Sequence, residues 1–314
     1  MAKRPTHVAF VSSEVEPVRW LTPLEEALPA MRFEAWPAVA DPAAIDVALV
    51  AAPPQGVLGC FPRLRFIQSL WMGVDGLLAD PTLPRGVPLA RLIDPGMVAA
   101  MSETVLARVL DWHRHLYRYR AQQAAQQWQP LPQFMASDRR VGILGLGALG
   151  ADAAAKLLAL GFRVCGWSRR PRSIAGVECH HGSEGLEAML RQSEALVCLL
   201  PLTAQTRGLL DGRRLALLPQ GACVINVARG AQVVERDLLA ALDKGHLAHA
   251  YLDVFETEPL PAGHPFWKHP GVSLTPHIAA LTEPRTALAK VVANLERFAR
   301  GVPPEGLVDA SAGY

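Results

Sequence analysis

Several features that mark other protein classes are scarce or absent in this sequence. Five cysteines stand among 314 residues, and no two of them have CxxC spacing. A disulfide framework or a metal site is therefore not expected, and we predict buried, reduced thiols in a cytoplasmic protein. No apolar run reaches the roughly eighteen residues of a membrane span, and the apolar stretch near the N-terminus is too short for a signal peptide.

Charge of either sign is also not in excess. The formal net charge is +2 at pH 7, and charged residues make up 19% of the chain. This balance gives no reason to expect nucleic acid or an anionic membrane as a partner. Half of the residues are apolar and no repeat is evident, so the chain is typical of a globular protein long enough for two domains.

Short apolar runs alternate with turn residues along most of the chain. In the first part the runs HVAFVS, DVALVA, LRFIQSL and VPLARL predict a small parallel βα layer. After Arg140 the runs are stronger and are separated by helical stretches, which predicts a doubly wound parallel sheet. We therefore predict an α/β protein with two parallel layers, the second of them doubly wound.

Two further patterns concern helices. Apolar residues at three-to-four spacing predict one long helix from Met97 to about Gln127, which could connect the domains. His246 and His249 are three residues apart, but no third ligand is evident. We assign them to a surface helix rather than to a metal site.

A glycine-rich loop, GLGALG, follows the apolar strand Val141–Leu144 and opens an alanine-rich helix. This is the context that a GxGxxG motif needs in order to bind a dinucleotide. Gly145 would permit the tight turn, Gly147 would let the pyrophosphate approach the backbone, and Gly150 would allow close helix–strand packing. Amides near Ala148 and Leu149 would face the phosphates, and Leu146 completes the loop.

The end of the next strand departs from the usual fingerprint for NAD. An acidic residue is expected there to bind the adenosine ribose, but the sequence has Ser168, Arg169 and Arg170. A carboxylate would repel a 2′-phosphate, whereas a hydroxyl and a guanidinium can bind one. The sequence therefore predicts NADPH as the cofactor, with NADH possible but weaker.

Three stretches at later strand ends carry the groups that reduction of a 2-oxo acid requires. They are NVARGAQVVE, LDVFETEPLP and LTPHIAA. Because strand ends of an open α/β sheet converge, we expect these loops to meet. An arginine can hold a carboxylate and polarise the adjacent ketone, a histidine can protonate the alkoxide, and a neighbouring carboxylate favours the imidazolium. Activity should then fall at high pH, as the histidine loses its proton.

These motifs together, with WQPLP at 128–132 and LLPLTAQT, resemble the D-isomer-specific 2-hydroxyacid dehydrogenase family over nearly the whole chain. Within that family the sequence is most similar to the bacterial glyoxylate/hydroxypyruvate reductase A group. The resemblance implies a Rossmann dinucleotide-binding domain at 97–282 and a smaller, flavodoxin-like substrate domain at 1–96 plus 283–314. The resemblance implies that Arg229 orients the substrate, that His277 is the acid/base and that Glu258 supports it. It also implies cofactor contacts by the remaining members of these motifs, which are Leu200, Pro201, Thr206, Val227, Ala228, Asp253 and Ala279.

The resemblance further implies a substrate-binding loop at Met72, Gly73 and Val74. Trp71 and Met72 are bulky where the family commonly has glycine and alanine, so the pocket is either narrower or shaped for an apolar tail, unless Trp71 points into the core. The family also implies a homodimer. Trp128 either packs internally or reaches toward the active site of the partner subunit.

Other functions remain open at this point. A related dehydrogenase could act on a bulkier 2-oxo acid. A cofactor-sensing protein of this fold could use the dinucleotide to set assembly without catalysis, although the retained Arg229, Glu258 and His277 argue against this. A methyltransferase would leave Arg169 and the TPH motif unexplained. No metal is expected in any of these cases.

Overall fold

A computed structural model describes residues 5–310, 312 and 313. The strands in chain order are β1 (His7–Ser12), β2 (Arg32–Ala35), β3 (Val47–Ala51), β4 (Phe66–Ser69), β5 (Leu89–Ala90), β6 (Arg140–Leu144), β7 (Arg163–Ser168), β8 (Val177–His181), β9 (Ala195–Cys198), β10 (Ala222–Asn226), β11 (Leu247–Leu252) and β12 (Val272–Leu274). The α-helices are α1 (Val18–Ala27), α2 (Asp75–Leu78), α3 (Pro95–His113), α4 (Leu116–Ala124), α5 (Ala148–Ala159), α6 (Gly182–Leu190), α7 (Gly212–Leu215), α8 (Glu235–Asp243) and α9 (Pro284–Ala299).

The chain folds into two units. The first contains the residues through Met97 together with those from Thr282 onward, and the second is Val98–Leu281. The first unit holds a five-stranded parallel sheet in the order β2-β1-β3-β4-β5. This is the flavodoxin-like order, with α1 and α9 packed together beside it.

The second unit holds a seven-stranded parallel sheet in the order β12-β11-β10-β9-β6-β7-β8. Its chain order reverses between β6 and β9, which is the doubly wound arrangement of dinucleotide-binding folds. The strands are near-continuous apolar runs because helices cover both faces of the sheet, and apolar clusters fill each side. The predicted fold class is confirmed.

The long helix predicted from Met97 to Gln127 is two helices. The break lies between α3 and α4, where His115 adopts a left-handed backbone with φ of 58°. Beyond α4 the chain runs as an irregular segment in which the Trp128 side chain is 99% exposed. The alternative that Trp128 packs within its own subunit is therefore wrong.

The prediction for the histidine pair was also wrong in part. His246 follows α8, but His249 lies inside β11 and is buried. Its ring packs between Tyr117 and Tyr251, at centroid distances of 4.4 and 4.6 Å. Within the described residues, no cluster of three or more histidine, cysteine, aspartate or glutamate side chains could hold a metal ion.

Candidate active site

The carboxyl ends of the seven-stranded sheet bring the predicted loops side by side. The Gly145 amide donates to the Trp167 carbonyl at 2.9 Å, which joins the glycine loop to the end of β7. The Leu199 amide donates to Leu144 at 2.8 Å, and the Asp253 amide donates to Asn226 at 3.0 Å. These backbone bonds continue the sheet ladder into the loops. The loops therefore form one continuous edge, at which such folds bind ligands.

The glycine loop is shaped by steric necessity at two positions. Gly145 has φ of +103°, and a Cβ there would lie 2.8 Å from the Leu199 carbonyl oxygen. A Cβ on Gly150 would overlap the carbonyl of Gly145. Glycine is thus required by the turn and by the contact of α5 with β6, as the sequence predicted.

Gly147 is different, because apart from Gly147 itself and the backbone next to it no described atom lies within 4 Å of the position that its Cβ would occupy. Protein packing therefore does not explain this glycine, whereas a ligand lying against the backbone would. Gly147 is also the N-cap of α5, with exposed Ala148 and half-buried Leu149 in the first turn. The amides of this turn give an anionic group both donors and a favourable dipole. The loop fits the pyrophosphate of a dinucleotide.

The end of β7 lies directly beside this loop. Leu144 and Trp167 are paired across the strands, so Ser168, the last residue of β7, and Arg169 after it lie at the level where the glycine loop begins. Arg169 and Arg170 are exposed, and the Ser168 hydroxyl donates to the Arg170 carbonyl at 2.7 Å. A turn with two guanidinium groups and no carboxylate fits a 2′-phosphate on the ribose.

The loop after β9 carries the next predicted residues. Leu200 is buried and Pro201 is half-buried. The buried hydroxyl of Thr206 donates to the Pro201 carbonyl at 2.7 Å and so closes the loop. Leu200, Pro201 and Thr206, all predicted to line the cofactor path, therefore belong to a single loop that this hydrogen bond closes.

The loop after β10 presents Arg229. Val227 and Ala228 are buried, and Arg229 is half-buried with its Nη1 donating to the Ala228 carbonyl at 2.7 Å. The buried amide of Asn226 secures this loop, because its Nδ2 donates to the Arg229 carbonyl at 3.0 Å and its Oδ1 accepts from Ala228 at 3.2 Å. The side chain of Asn226 therefore holds the backbone of Ala228 and Arg229 in place.

Gly230 links this loop to the next one. A Cβ on Gly230 would overlap the backbone of Phe255, so the ARG loop packs tightly against the segment that follows β11. The Phe255 amide in turn donates to Glu258 Oε1 at 2.8 Å. The contact of Gly230 with Phe255 and the hydrogen bond from Phe255 to Glu258 therefore connect the Arg229 loop to the carboxylate of Glu258.

His277 and Glu258 form a direct pair. His277 Nδ1 lies 2.7 Å from Glu258 Oε2, and the imidazole remains 48% exposed. The backbone of His277 has φ of +54°, a strained value for a non-glycine residue. Its amide donates to the Asp253 carbonyl at 2.8 Å, which helps to hold this conformation. The ring is therefore oriented by a carboxylate and open on its other side.

Asp253 organises the same loop. Its buried carboxylate accepts from the Thr275 hydroxyl at 2.6 Å and from the amides of Ile278 and Ala279, each at 2.9 Å. The Ala279 carbonyl accepts from the Thr104 hydroxyl at 2.7 Å. Asp253 and Ala279 therefore shape the loop of His277, and the predicted cofactor contact of each stays a prediction.

The proposed substrate loop lies in the other unit, after β4. Val74 is buried, whereas Met72 and Gly73 are half-buried. Trp71 packs against the core of its unit, and the Ser69 hydroxyl and the Trp71 backbone are joined at 3.0 and 3.1 Å. Packing against the core therefore explains the bulky side chain of Trp71. Met72 belongs to none of the apolar clusters of the described residues, so core packing does not explain its size.

Comparison with known proteins gives a consistent result. The sequence profile of the D-isomer specific 2-hydroxyacid dehydrogenase family, NAD binding domain, matches residues 106–279. A glyoxylate/hydroxypyruvate reductase A from Yersinia enterocolitica is 44% identical over 313 residues, which cover 98% of this chain and all of that protein. A protein of the same name from Serratia proteamaculans is 45% identical over 300 residues, covering 94% of this chain and 96% of that protein.

Two solved structures are similar throughout. One is a D-isomer specific 2-hydroxyacid dehydrogenase from Xanthobacter autotrophicus in complex with NADPH and MES, with a TM-score of 0.95, 43% identity and coverage of 99% of this chain and 100% of that one. The other is an NADPH-dependent glyoxylate/hydroxypyruvate reductase from Sinorhizobium meliloti in complex with NADP and sulfate. Its TM-score is 0.91 at 38% identity, with coverage of 98% of this chain and 100% of that one.

The family profile spans more than half of the chain, and the relatives align along nearly all of it. The resemblance that the motifs indicated is therefore confirmed. The chain belongs to the D-isomer specific 2-hydroxyacid dehydrogenase family.

Proposed function

We propose that this protein is an NADPH-dependent reductase of small 2-oxo acids, converting glyoxylate to glycolate and hydroxypyruvate to D-glycerate. The observation that carries the proposal is the His277–Glu258 pair at 2.7 Å, held at the sheet edge that also presents Arg229. Names of the relatives support the substrate class, since those at 44–45% identity are glyoxylate/hydroxypyruvate reductases.

The cofactor would be held by two groups of residues. Gly145–Gly150 would take the pyrophosphate, and Ser168, Arg169 and Arg170 would take the 2′-phosphate. Leu200, Pro201 and Thr206 would line the path of the dinucleotide, with Val227, Ala228, Asp253 and Ala279 around the nicotinamide. When bound, the reduced nicotinamide supplies a hydride for the ketone carbon of the substrate.

Arg229 would bind the substrate carboxylate and polarise its ketone. A guanidinium presents two parallel N–H groups, which match the two oxygens of a carboxylate or a carboxylate–ketone edge. Because Asn226 fixes the Arg229 carbonyl at 3.0 Å, the arginine starts from a defined backbone position. As negative charge develops on the ketone oxygen, the guanidinium stabilises it.

His277 would supply the proton. With Nδ1 facing Glu258, the nitrogen directed at the substrate is Nε2. The imidazolium gives its Nε2 proton to the alkoxide oxygen and becomes neutral, while Glu258 stays ionised and keeps the ring in place. Solvent then returns the proton to the histidine before the next turnover.

Met72, Gly73 and Val74 are proposed as substrate-binding residues of the other unit. They follow the carboxyl end of β4, where loops of an open sheet bind ligands. The backbone amides of Gly73 and Val74 would receive the substrate carboxylate, and Met72 would contact the substrate chain.

We further propose a cytoplasmic homodimer. All five cysteines are free thiols, which suits a reducing compartment. No described helix has both the length and the apolar character needed to cross a membrane. Trp128 is 99% exposed and Met135 is 70% exposed, so the segment after α4 offers apolar area for a second copy of the chain.

Light scattering and kinetics of wild type and W128A test the role of Trp128. If W128A assembles and reacts as wild type does, Trp128 belongs neither to the dimer interface nor to the active site of the partner subunit.

Product analysis tests the proposed function. Incubation with hydroxypyruvate and NADPH should consume the two in equal amounts and yield D-glycerate, resolved from the L-isomer by chiral chromatography. NADPH binding without any product would favour a cofactor-sensing interaction protein instead. Product only from longer 2-oxo acids would favour the related dehydrogenase with a bulkier substrate.

A further inference from the structure

Gln232 lies three residues after Arg229 in the NVARGAQVVE stretch, and it has no role in the proposed chemistry so far. Its side chain is completely buried in the turn after Arg229. The amide nitrogen donates to the Leu200 carbonyl at 2.8 Å and to the Pro201 carbonyl at 3.1 Å. One side of the amide is thus bonded to the loop after β9, which would line the cofactor path.

The other side of the same amide faces Arg229. Gln232 Oε1 accepts from the Arg229 backbone amide at 3.4 Å and from Cys198 Sγ at 3.1 Å. Burial raises the pKa of the Cys198 thiol to about 12, so the thiol stays protonated and can donate. The carbonyls of Leu200 and Pro201 accept from the amide nitrogen, and the Arg229 amide and the Cys198 thiol donate to the amide oxygen. All four hydrogen-bonding positions of the Gln232 side chain are therefore occupied.

This complete pairing defines what Gln232 does. The amide cannot flip, because a reversed group would place its oxygen against two carbonyl oxygens. The amide also cannot move with one loop and keep its hydrogen bonds to the other, and leaving a buried polar group unpaired is unfavourable. A chain of hydrogen bonds through Gln232 thus connects the carbonyls of Leu200 and Pro201 to the backbone amide of Arg229.

We propose that Gln232 is a positioning residue that couples occupancy of the cofactor site to the placement of Arg229. The inference rests on the proposed function, since it takes the β9 loop as part of the cofactor path and Arg229 as the substrate clamp. A ligand pressed against Leu200 and Pro201 then fixes the arginine for the substrate carboxylate. Substrate binding is consequently stronger when the nucleotide is already bound.

Binding of an unreactive 2-oxo acid analogue tests the coupling without turnover. Oxamate is titrated by calorimetry into the protein with and without saturating NADP⁺. For wild type we expect NADP⁺ to strengthen oxamate binding by at least about fivefold, a typical allosteric coupling. In Q232M, which keeps the length of the side chain and removes its four hydrogen bonds, this factor should fall to near one.

The control is Q220M. Gln220 also carries an amide bonded to a backbone carbonyl, that of Gly245 at 2.6 Å, but it is exposed at a turn. Q220M should retain the wild-type coupling factor. If Q232M does not fold, Q232N serves instead: its amide is one methylene shorter and cannot span both loops, so the same loss is expected.

Two results would overturn the proposal. One is a Q232M protein that melts at a lower temperature but keeps the wild-type coupling factor, because Gln232 would then be structural only. The other is a wild type in which NADP⁺ does not affect oxamate binding. Glyoxylate reduction is measured on the same preparations: an active wild type without coupling refutes the role of Gln232 alone, whereas an inactive wild type refutes the proposed function.

Discussion

His277 Nδ1 and Glu258 Oε2 are 2.7 Å apart, although nineteen residues separate them in the chain. Each partner is held by the backbone next to it. Phe255 donates its amide to the other oxygen of Glu258 at 2.8 Å, and the His277 amide is bonded to Asp253 at 2.8 Å. The pair is therefore preorganised, and the imidazole has one nitrogen committed to the carboxylate and one available for chemistry.

Replacing the histidine should abolish most of the reductase activity. H277N removes the proton donor, and we expect kcat for glyoxylate to fall by about 10²–10⁴-fold, while the dissociation constant for NADPH changes little. The matched control is H269N, because His269 also pairs with a carboxylate, that of Asp243 at 3.2 Å. Wild-type rates in H277N would exclude His277 as the acid.

Replacing the carboxylate should lower the rate by loosening the imidazole. E258Q keeps the size of the side chain but replaces the carboxylate that holds His277 Nδ1. We expect a moderate fall in kcat for glyoxylate, while the dissociation constant for NADPH changes little. Wild-type kcat in E258Q would show that Glu258 does not act through His277.

Reversing the charge at the end of β7 should change the cofactor preference. In R169D, the 2′-phosphate loses a cationic partner and meets a carboxylate. We expect kcat/KM with NADPH to fall by about 10–100-fold, whereas the value with NADH stays the same or rises. R172D is the control, since Arg172 is exposed three residues further on. Equal losses with both cofactors would refute the phosphate role.

Met72 should influence the choice of substrate more than stability. Trp71 packs against the core of its unit, so W71A is expected to lower the melting temperature. M72A should leave it nearly unchanged. Shortening Met72 should raise kcat/KM for hydroxypyruvate relative to glyoxylate by up to about tenfold, because the pocket becomes wider. A ratio of the two kcat/KM values equal to that of wild type would show that Met72 does not line the substrate pocket.

His249 should make the protein less stable in acid. Burial lowers the pKa of His249 from 6.5 to about 4, so the unfolded chain binds a proton there before the folded protein does. The contribution to stability is therefore complete above pH 6.5 and is lost as the pH falls toward 4. The loss is on the order of 3 kcal/mol.

Urea unfolding of wild type and H249F at a series of pH values measures this contribution. Phenylalanine keeps an aromatic ring between Tyr117 and Tyr251 but does not titrate. The unfolding midpoint of H249F should fall less between neutral and acid pH than that of wild type. Parallel curves for the two proteins would mean that His249 does not titrate differently on folding.

The regular parts of the fold could be predicted because local pattern and tertiary context agree there. Near-continuous apolar runs such as VGIL and ACVIN are buried parallel strands, and glycine at 145 and 150 is demanded by the turn. The short strand β2 was missed because its alternation lasts only four residues. The break at His115 was missed because an apolar pattern continues across it and no glycine or proline marks it.

The site could be predicted only where the chemistry of a side chain itself indicates a role. Arg229, Glu258 and His277 are such residues, whereas Asn226 and Gln232, in the same stretch as Arg229, act through hydrogen bonds that depend on how separate loops pack. Gly230 had a signal, since it directly follows the arginine, but its contact with Phe255 requires the fold. The sequence therefore indicated the residues proposed for the chemistry, and the structure adds the residues that hold them in place.

The most direct test of the central claim is the initial rate of glyoxylate and hydroxypyruvate reduction by the wild-type protein, with NADPH and NADH compared in parallel. We predict turnover of both acids with NADPH strongly preferred. Equal rates with NADH would contradict the role given to Ser168 and Arg169. An absence of turnover with either cofactor would contradict the assignment of Arg229, Glu258 and His277 to the reduction of these 2-oxo acids.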